Sequence, residues 1–123
     1  MCAPTMAQVA AIEALKSGES SVLEMVEDYN RRRLVMVKGL NDIGLPCFEP
    51  RGAFYAFPSI KGTGMTSEEF AKKLLIEERV AVVPGTAFGQ CGEGYVRCCY
   101  ATSLADIEKA LLRMGRFVNK HKK

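Results

Sequence analysis

Arg97 is the residue whose type and setting most clearly invite chemistry. It lies in Tyr95-Val96-Arg97-Cys98-Cys99-Tyr100, a run that reads as a strand. Side chains alternate along a strand, so Val96 and Cys98 point one way while Tyr95, Arg97 and Cys99 point the other. A guanidinium among apolar residues is costly to desolvate unless an anion meets it. Its planar fork takes a carboxylate through two parallel hydrogen bonds, and an extended strand holds that fork more rigidly than a loop would. The pattern equally allows an arginine on a solvent face, or one paired with an acid of the same chain.

Other chemistry-bearing groups are weaker candidates. Cys98 and Cys99 are nucleophiles by type, but on a strand such thiols read as small packing residues. Lys61-Gly62-Thr63-Gly64 has the glycine content of a phosphate cradle. It lacks the Gly-Lys-Ser/Thr order and the buried strand just before it, so it reads as a turn. Arg31-Arg32-Arg33 is either an anion patch or a solvated helix face. No aromatic residue interleaves the run, which favours the solvated face over nucleic acid. His121 is the single histidine and only Lys122 and Lys123 follow it, so a frayed end is expected. A hydrolase built on a Ser-His or Cys-His pair needs an imidazole held by packing, and is excluded on that ground.

Five cysteines, an odd number with no Cys-x-x-Cys spacing, point to a reduced, cytoplasmic protein. The distance of His121 from any cysteine pair argues against zinc, so no metal site is expected. The 123 residues suit one domain, and 48% hydrophobic with 25% charged residues is ordinary globular composition. No apolar run reaches the length of a membrane helix and no signal-peptide pattern opens the sequence, so no membrane role is expected. A net charge of +3 decides nothing about partners by itself.

The elements that must position Arg97 follow from punctuation and period. A short alanine-rich helix is predicted over 5–16, opened by Pro4 and closed by Ser17-Gly18. A second helix is predicted from a capping box of Ser21 with Glu24. Its apolar positions Val22, Met25, Val26, Tyr29, Met36, Leu40 and Ile43 form one face, and Gly44 and Pro46 stop it. Residues 53–57 read as an aromatic strand, Thr66 with Glu69 as the cap of a helix to about Arg79, and 80–83 as a strand. A loop and the strand 95–100 follow, then a helix capped by Ser103. From residue 19 the order is α-β-α-β-β-α. A crossover should give a parallel pair and the short loop an antiparallel one, so the sequence predicts a two-layer α+β sandwich: a small mixed sheet with helices on one face.

Three segments together resemble a known family. Pro50-Arg51-Gly52-Ala53-Phe54-Tyr55-Ala56-Phe57-Pro58, Val82-Val83-Pro84-Gly85-Thr86-Ala87-Phe88-Gly89 and Gly94-Tyr95-Val96-Arg97 are similar, in order and spacing, to the C-terminal part of class I/II aminotransferases. Cys2-Ala3-Pro4-Thr5-Met6-Ala7-Gln8 is similar to the segment after the cofactor-lysine region of these pyridoxal-phosphate enzymes.

The resemblance implies the small domain of the aspartate aminotransferase fold over 19–123. Residues 1–18 would form a helix that packs on an absent large domain. It implies that Arg97 grips the α-carboxylate of an amino acid, and that the segments around Gly52 and Gly85 to Phe88 lie toward the active-site side. No lysine of the chain matches the family's Schiff-base lysine motif, so no catalytic or cofactor-binding residue is assigned here. Pyridoxal 5'-phosphate, amino-acid and 2-oxo-acid substrates, and a homodimer are expected of the intact enzyme, and this chain alone is expected to be inactive. The competing reading is a free-standing α+β module that binds an amino acid, or regulates, without catalysis. A nucleic-acid domain built on Arg31 to Arg33 is a third.

Overall fold

The computed structural model describes residues 2–122. Four helices, α1 (Thr5–Ser17), α2 (Glu19–Asp42), α3 (Ser67–Glu78) and α4 (Leu104–His121), accompany three short strands, β1 (Tyr55–Ala56), β2 (Val83–Pro84) and β3 (Val96–Cys99). Three 3₁₀ turns, Lys61–Thr63, Gly85–Phe88 and Gln90–Gly92, fill the connections. The architecture is α+β, as the sequence predicts. None of the helices is long and apolar enough to cross a membrane, among the described residues.

The predicted start of the second helix is not where the chain begins it. Ser21 and Glu24 lie inside α2, which starts at Glu19 immediately after Gly18. Gly18 keeps right-handed backbone angles (φ −86°, ψ −1°). Its N–H donates to the Ala14 carbonyl and its own carbonyl accepts from the Val22 N–H. Helical bonding therefore runs across the junction and no fresh cap is needed. A Cβ at Gly18 would stand 2.4 Å from the Ala14 oxygen, so glycine permits this tight join.

The other helix ends match their sequence signals. After α2, Gly44 takes φ +85° and the buried Leu45 donates its N–H to the Leu40 carbonyl, a left-handed stop with an apolar contact behind it. The Thr66 side chain accepts from the Glu69 N–H at the head of α3, and Ser103 accepts from the Asp106 N–H at the head of α4.

The sheet differs from the predicted mixed pairing. Its order is β1-β3-β2, and both pairs are antiparallel: Tyr55 opposes Cys99, and Val83 opposes Arg97. The crossover through α3 carries the chain to the far side of β3's position, so β1 and β2 never become neighbours and β3 is inserted between them. The strands are also shorter than predicted. Ala53 has φ +56°, which breaks extension before Tyr55. Pro84 lacks an N–H, and it is tolerated because β2 is an edge strand.

The core lies between the buried face of the sheet and α2, α3 and α4. Val96, Cys98 and Ala56 meet Met36 and Leu40 of α2, Phe70 and Leu74 of α3, and Ile107, Met114 and Phe117 of α4. Phe70 and Phe117 meet edge to face with ring centres 5.2 Å apart, a geometry aromatic pairs favour. Burial in α2 begins only at its second half. Val22, Leu23, Met25 and Val26 are exposed, and α1 buries no residue at all, with Met6 86% and Leu15 90% exposed.

His121 is not frayed. It closes the last turn of α4, with Nε2 3.1 Å from both carboxylate oxygens of Glu77 and its ring 4.5 Å from that of Phe117. Lys120 reaches the same Glu77 at 2.6 Å, and Arg116 reaches Glu78 at 2.7 Å. The acidic end of α3 thus receives the basic end of α4. Hydrogen bonds from Lys120 and His121 hold the Glu77 carboxyl below its ordinary pKa. Whatever this clasp contributes is present above the ordinary carboxylate pKa and lost as pH falls through the lowered one. The arginine run is similarly engaged: Arg31 and Arg32 meet Asp28, and Arg33 meets Glu49. Only Arg31 lies on a solvated face; Arg32 and Arg33 are half-buried, because Asp28 and Glu49 draw them against the chain. The Lys61 segment is a turn, closed by Gly64 at φ +69°.

This division of the chain predicts unequal mutational costs. Phe117→Ala should lower unfolding free energy by about 3–5 kcal/mol. Ile12→Ala in α1 should change it by less than about 0.5 kcal/mol. Urea unfolding monitored by circular dichroism measures both.

Candidate functional site

Arg97 stands on the central strand, and its surroundings follow from the register. Val96 and Cys98 are buried in the core, whereas Arg97 is half-buried and Cys99 exposed on the opposite face. Tyr55 opposes Cys99, which places it diagonally from Arg97 on the β1 side. The Arg97 guanidinium carbon lies 4.1 Å from the centre of the Tyr55 ring. Phe88, at the end of the 3₁₀ turn that follows β2, brings a second ring to 4.7 Å.

Two π faces attract a cation without cancelling its charge. Among the described residues, the ion pairs engage other arginines and lysines and none engages Arg97. Among the described residues no acid neutralises Arg97. A half-buried fork without an ion-pair partner there has a shape suited to a carboxylate.

The turn that carries Phe88 is fixed by backbone contact. A Cβ at Gly85 would fall 2.0 Å from the Gly92 oxygen, and one at Gly92 would fall 2.0 Å from the Gly85 oxygen. The two 3₁₀ turns thus touch main chain to main chain, and the Gly85 N–H donates to the Tyr95 carbonyl. The head of α3 holds the same loop. The Glu93 carboxylate accepts from the N–H groups of Ser67 and Gly94, and Ser67 Oγ accepts from the Gly94 N–H at 2.9 Å.

Sequence reasoning singled out Arg97 and the glycine loop but missed the rings. Phe88 meets Phe57 edge-on at 5.7 Å, and Phe57 lies 6.3 Å from Tyr95, on which Lys61 rests at 5.0 Å. The alternation Tyr55, Phe57 within an aromatic run was the available signal. The Ser67–Glu93 anchor, 26 residues apart in sequence, left none. Gly52 lines a cavity of about 500 Å³ between α2 and residues 49–54, whose lining does not include Arg97. Arg33 also borders that cavity, but its guanidinium is taken by Glu49 and Asn30.

Comparison with known proteins shows what the chain as a whole is similar to. Residues 1–114 match the family described as aminotransferase class I and II. The Bacillus subtilis protein YugH is 59% identical over 120 residues, which are 98% of this chain and 31% of that protein. The aspartate aminotransferase of Pyrococcus abyssi is 50% identical over 123 residues, 98% of this chain and 32% of that enzyme. The crystal structure of an aromatic aminotransferase from Pyrococcus horikoshii superposes with a TM-score of 0.89 at 50% identity, over 92% of this chain and 31% of that one. The chain spans about a third of the length of the relatives it matches.

The alternation that exposes Arg97 can be checked on its neighbours. Burial pushes the Cys98 thiol up to about 12, so at pH 8 about one molecule in ten thousand carries the reactive thiolate. Iodoacetamide at that pH should label the exposed Cys99 and spare Cys98, as read by peptide mass spectrometry. Equal labelling of the two would place Arg97 on the wrong face.

Proposed function

We propose, starting from a chain that belongs to the class I and II aminotransferase family, that Arg97 binds the α-carboxylate of an amino acid during pyridoxal-phosphate-dependent transfer of its amino group to a 2-oxo acid. The observation that carries this reading is a guanidinium fixed on the central strand, between two rings, with no carboxylate of its own among the described residues. Relatives named for aspartate and for aromatic amino acids act on different side chains. The α-carboxylate is the part those substrates share, so a rigid clamp for it serves either.

The division of labour follows from what this chain lacks. Pyridoxal phosphate, when bound, supplies the electron sink for amino-group transfer, and it requires a lysine, an acid facing its ring nitrogen and donors for its phosphate. Lys38, Lys73 and Lys120 are held by Asp42, Glu69 and Glu77, and Lys61 rests on Tyr95. No lysine and acid converge on Arg97 among the described residues, so the residues present do not fit that group. The cofactor site belongs, in this reading, to the rest of a longer enzyme.

The exposed faces support the same reading. The helix α1 (Thr5–Ser17) has no buried residue, and Val22, Leu23, Met25 and Val26 in the first half of α2 are also exposed. We assign both to contact with a large domain, with 19–123 as the small domain and a homodimer as the intact assembly. Closing the small domain over a bound substrate would bring Arg97 to the carboxylate and exclude water from the reacting bond.

In the whole enzyme carrying this segment, Arg97→Ala should raise KM for the amino acid and lower kcat/KM by several orders of magnitude. Steady-state kinetics checks this, and a loss below about tenfold, worth only about 1.4 kcal/mol of transition-state binding, removes the assignment. The 123-residue chain alone should show no transamination when pyridoxal phosphate is added.

A further inference from the structure

We propose that Tyr55 and Phe88 are positioning residues for Arg97. Their rings hold the guanidinium in place and in plane, so that its N–H edge is presented before any ligand arrives. This rests on the carboxylate reading of Arg97 and extends it to the groups that act through that side chain. Two other half-buried arginines are oriented by an acid, Arg33 by Glu49 and Arg32 by Asp28, while Arg113 donates to the Glu78 carbonyl. An acid at Arg97 would orient it too, but it would occupy the very N–H groups a substrate carboxylate needs. An aromatic face attracts the guanidinium through its π cloud and leaves the N–H edge unoccupied.

The two rings come from independent supports, which is what makes the placement stiff. Tyr55 sits on β1, paired with Cys99 of β3 on one side of Arg97. Phe88 comes from beyond β2, which pairs with β3 on the other side. Phe88 is in turn braced by the edge contact to Phe57. Its turn is locked by the mutual approach of Gly85 and Gly92. Phe88 itself is 53% exposed, more than a ring serving only the core would be. Its packing on Arg97 and Phe57 accounts for its fixed position without burial.

The experiment uses the whole enzyme carrying this segment, isotope-labelled at arginine for NMR, with 2-oxoglutarate as the carboxylate probe. Relaxation of the Arg97 Nε–Hε group reports how tightly the side chain is held, and its shift on titration reports binding. In the unsubstituted enzyme this group should be well ordered and should respond to 2-oxoglutarate. Phe88→Leu and Tyr55→Leu should each lower that order and weaken the apparent affinity by about two- to fivefold. Tyr55→Phe, which keeps the ring, should retain both.

Because Phe88 is half exposed, its leucine variant leaves the core intact, and an unchanged Arg97 backbone signal confirms this. If both leucine variants keep wild-type order and affinity while Arg97→Ala abolishes the response, the positioning role is wrong and the carboxylate reading stands. If Arg97→Ala binds the probe as well as the unsubstituted enzyme, or Arg97 never responds, the carboxylate reading fails and the positioning role goes with it.

Discussion

The structure turns on a positive charge that is oriented but not neutralised. Arg97 sits where the sheet is stiffest, on the strand paired on both sides, and meets rings where Arg31, Arg32, Arg33 and Arg116 meet acids. Holding a cation this way has a physical cost. Partial desolvation penalises the charge, and two cation–π contacts offset only part of it, at about 0.5–2 kcal/mol each. In the proposed role, an incoming carboxylate would relieve the remaining imbalance. On that proposal the fold trades some stability of the free domain for affinity at one point.

Everything around that point limits movement. Alternation in β3 sends Val96 and Cys98 into the core, so Arg97 is anchored through neighbours packed against three helices. The head of α3 fixes the adjoining loop through Ser67 and Glu93, and the clasp of α4 onto Glu77 and Glu78 fixes α3 in turn. The part of the molecule that carries the site is thus well supported. The N-terminal part, α1 with the first half of α2, presents uncovered apolar residues.

Much of this was legible in the sequence because the signals were local. The caps at Thr66 and Ser103, the stop at Gly44 and the exposure alternating about Arg97 are each decided within a few residues. The failures were of a different kind. Ser21 and Glu24 spell a capping box, yet a glycine that could remain helical at position 18 let the preceding turn continue through it. The sheet order could not be read, because a crossover fixes handedness but not whether a later strand will be inserted between two earlier ones. His121 looked frayed because its partner, Glu77, lies 44 residues away. At the site, the arginine was visible and the rings that hold it were not, since their meeting depends on register across three strands.

The reciprocal contact of Gly85 and Gly92 carries one more consequence. Two hydrogen atoms, one on each α-carbon, set the gap between the turn bearing Phe88 and the turn leading into the central strand. A methyl group at either place would wedge both apart at once, so the pair behaves as a single hinge pin. The geometry presented to a ligand is governed there by the smallest side chains in the protein.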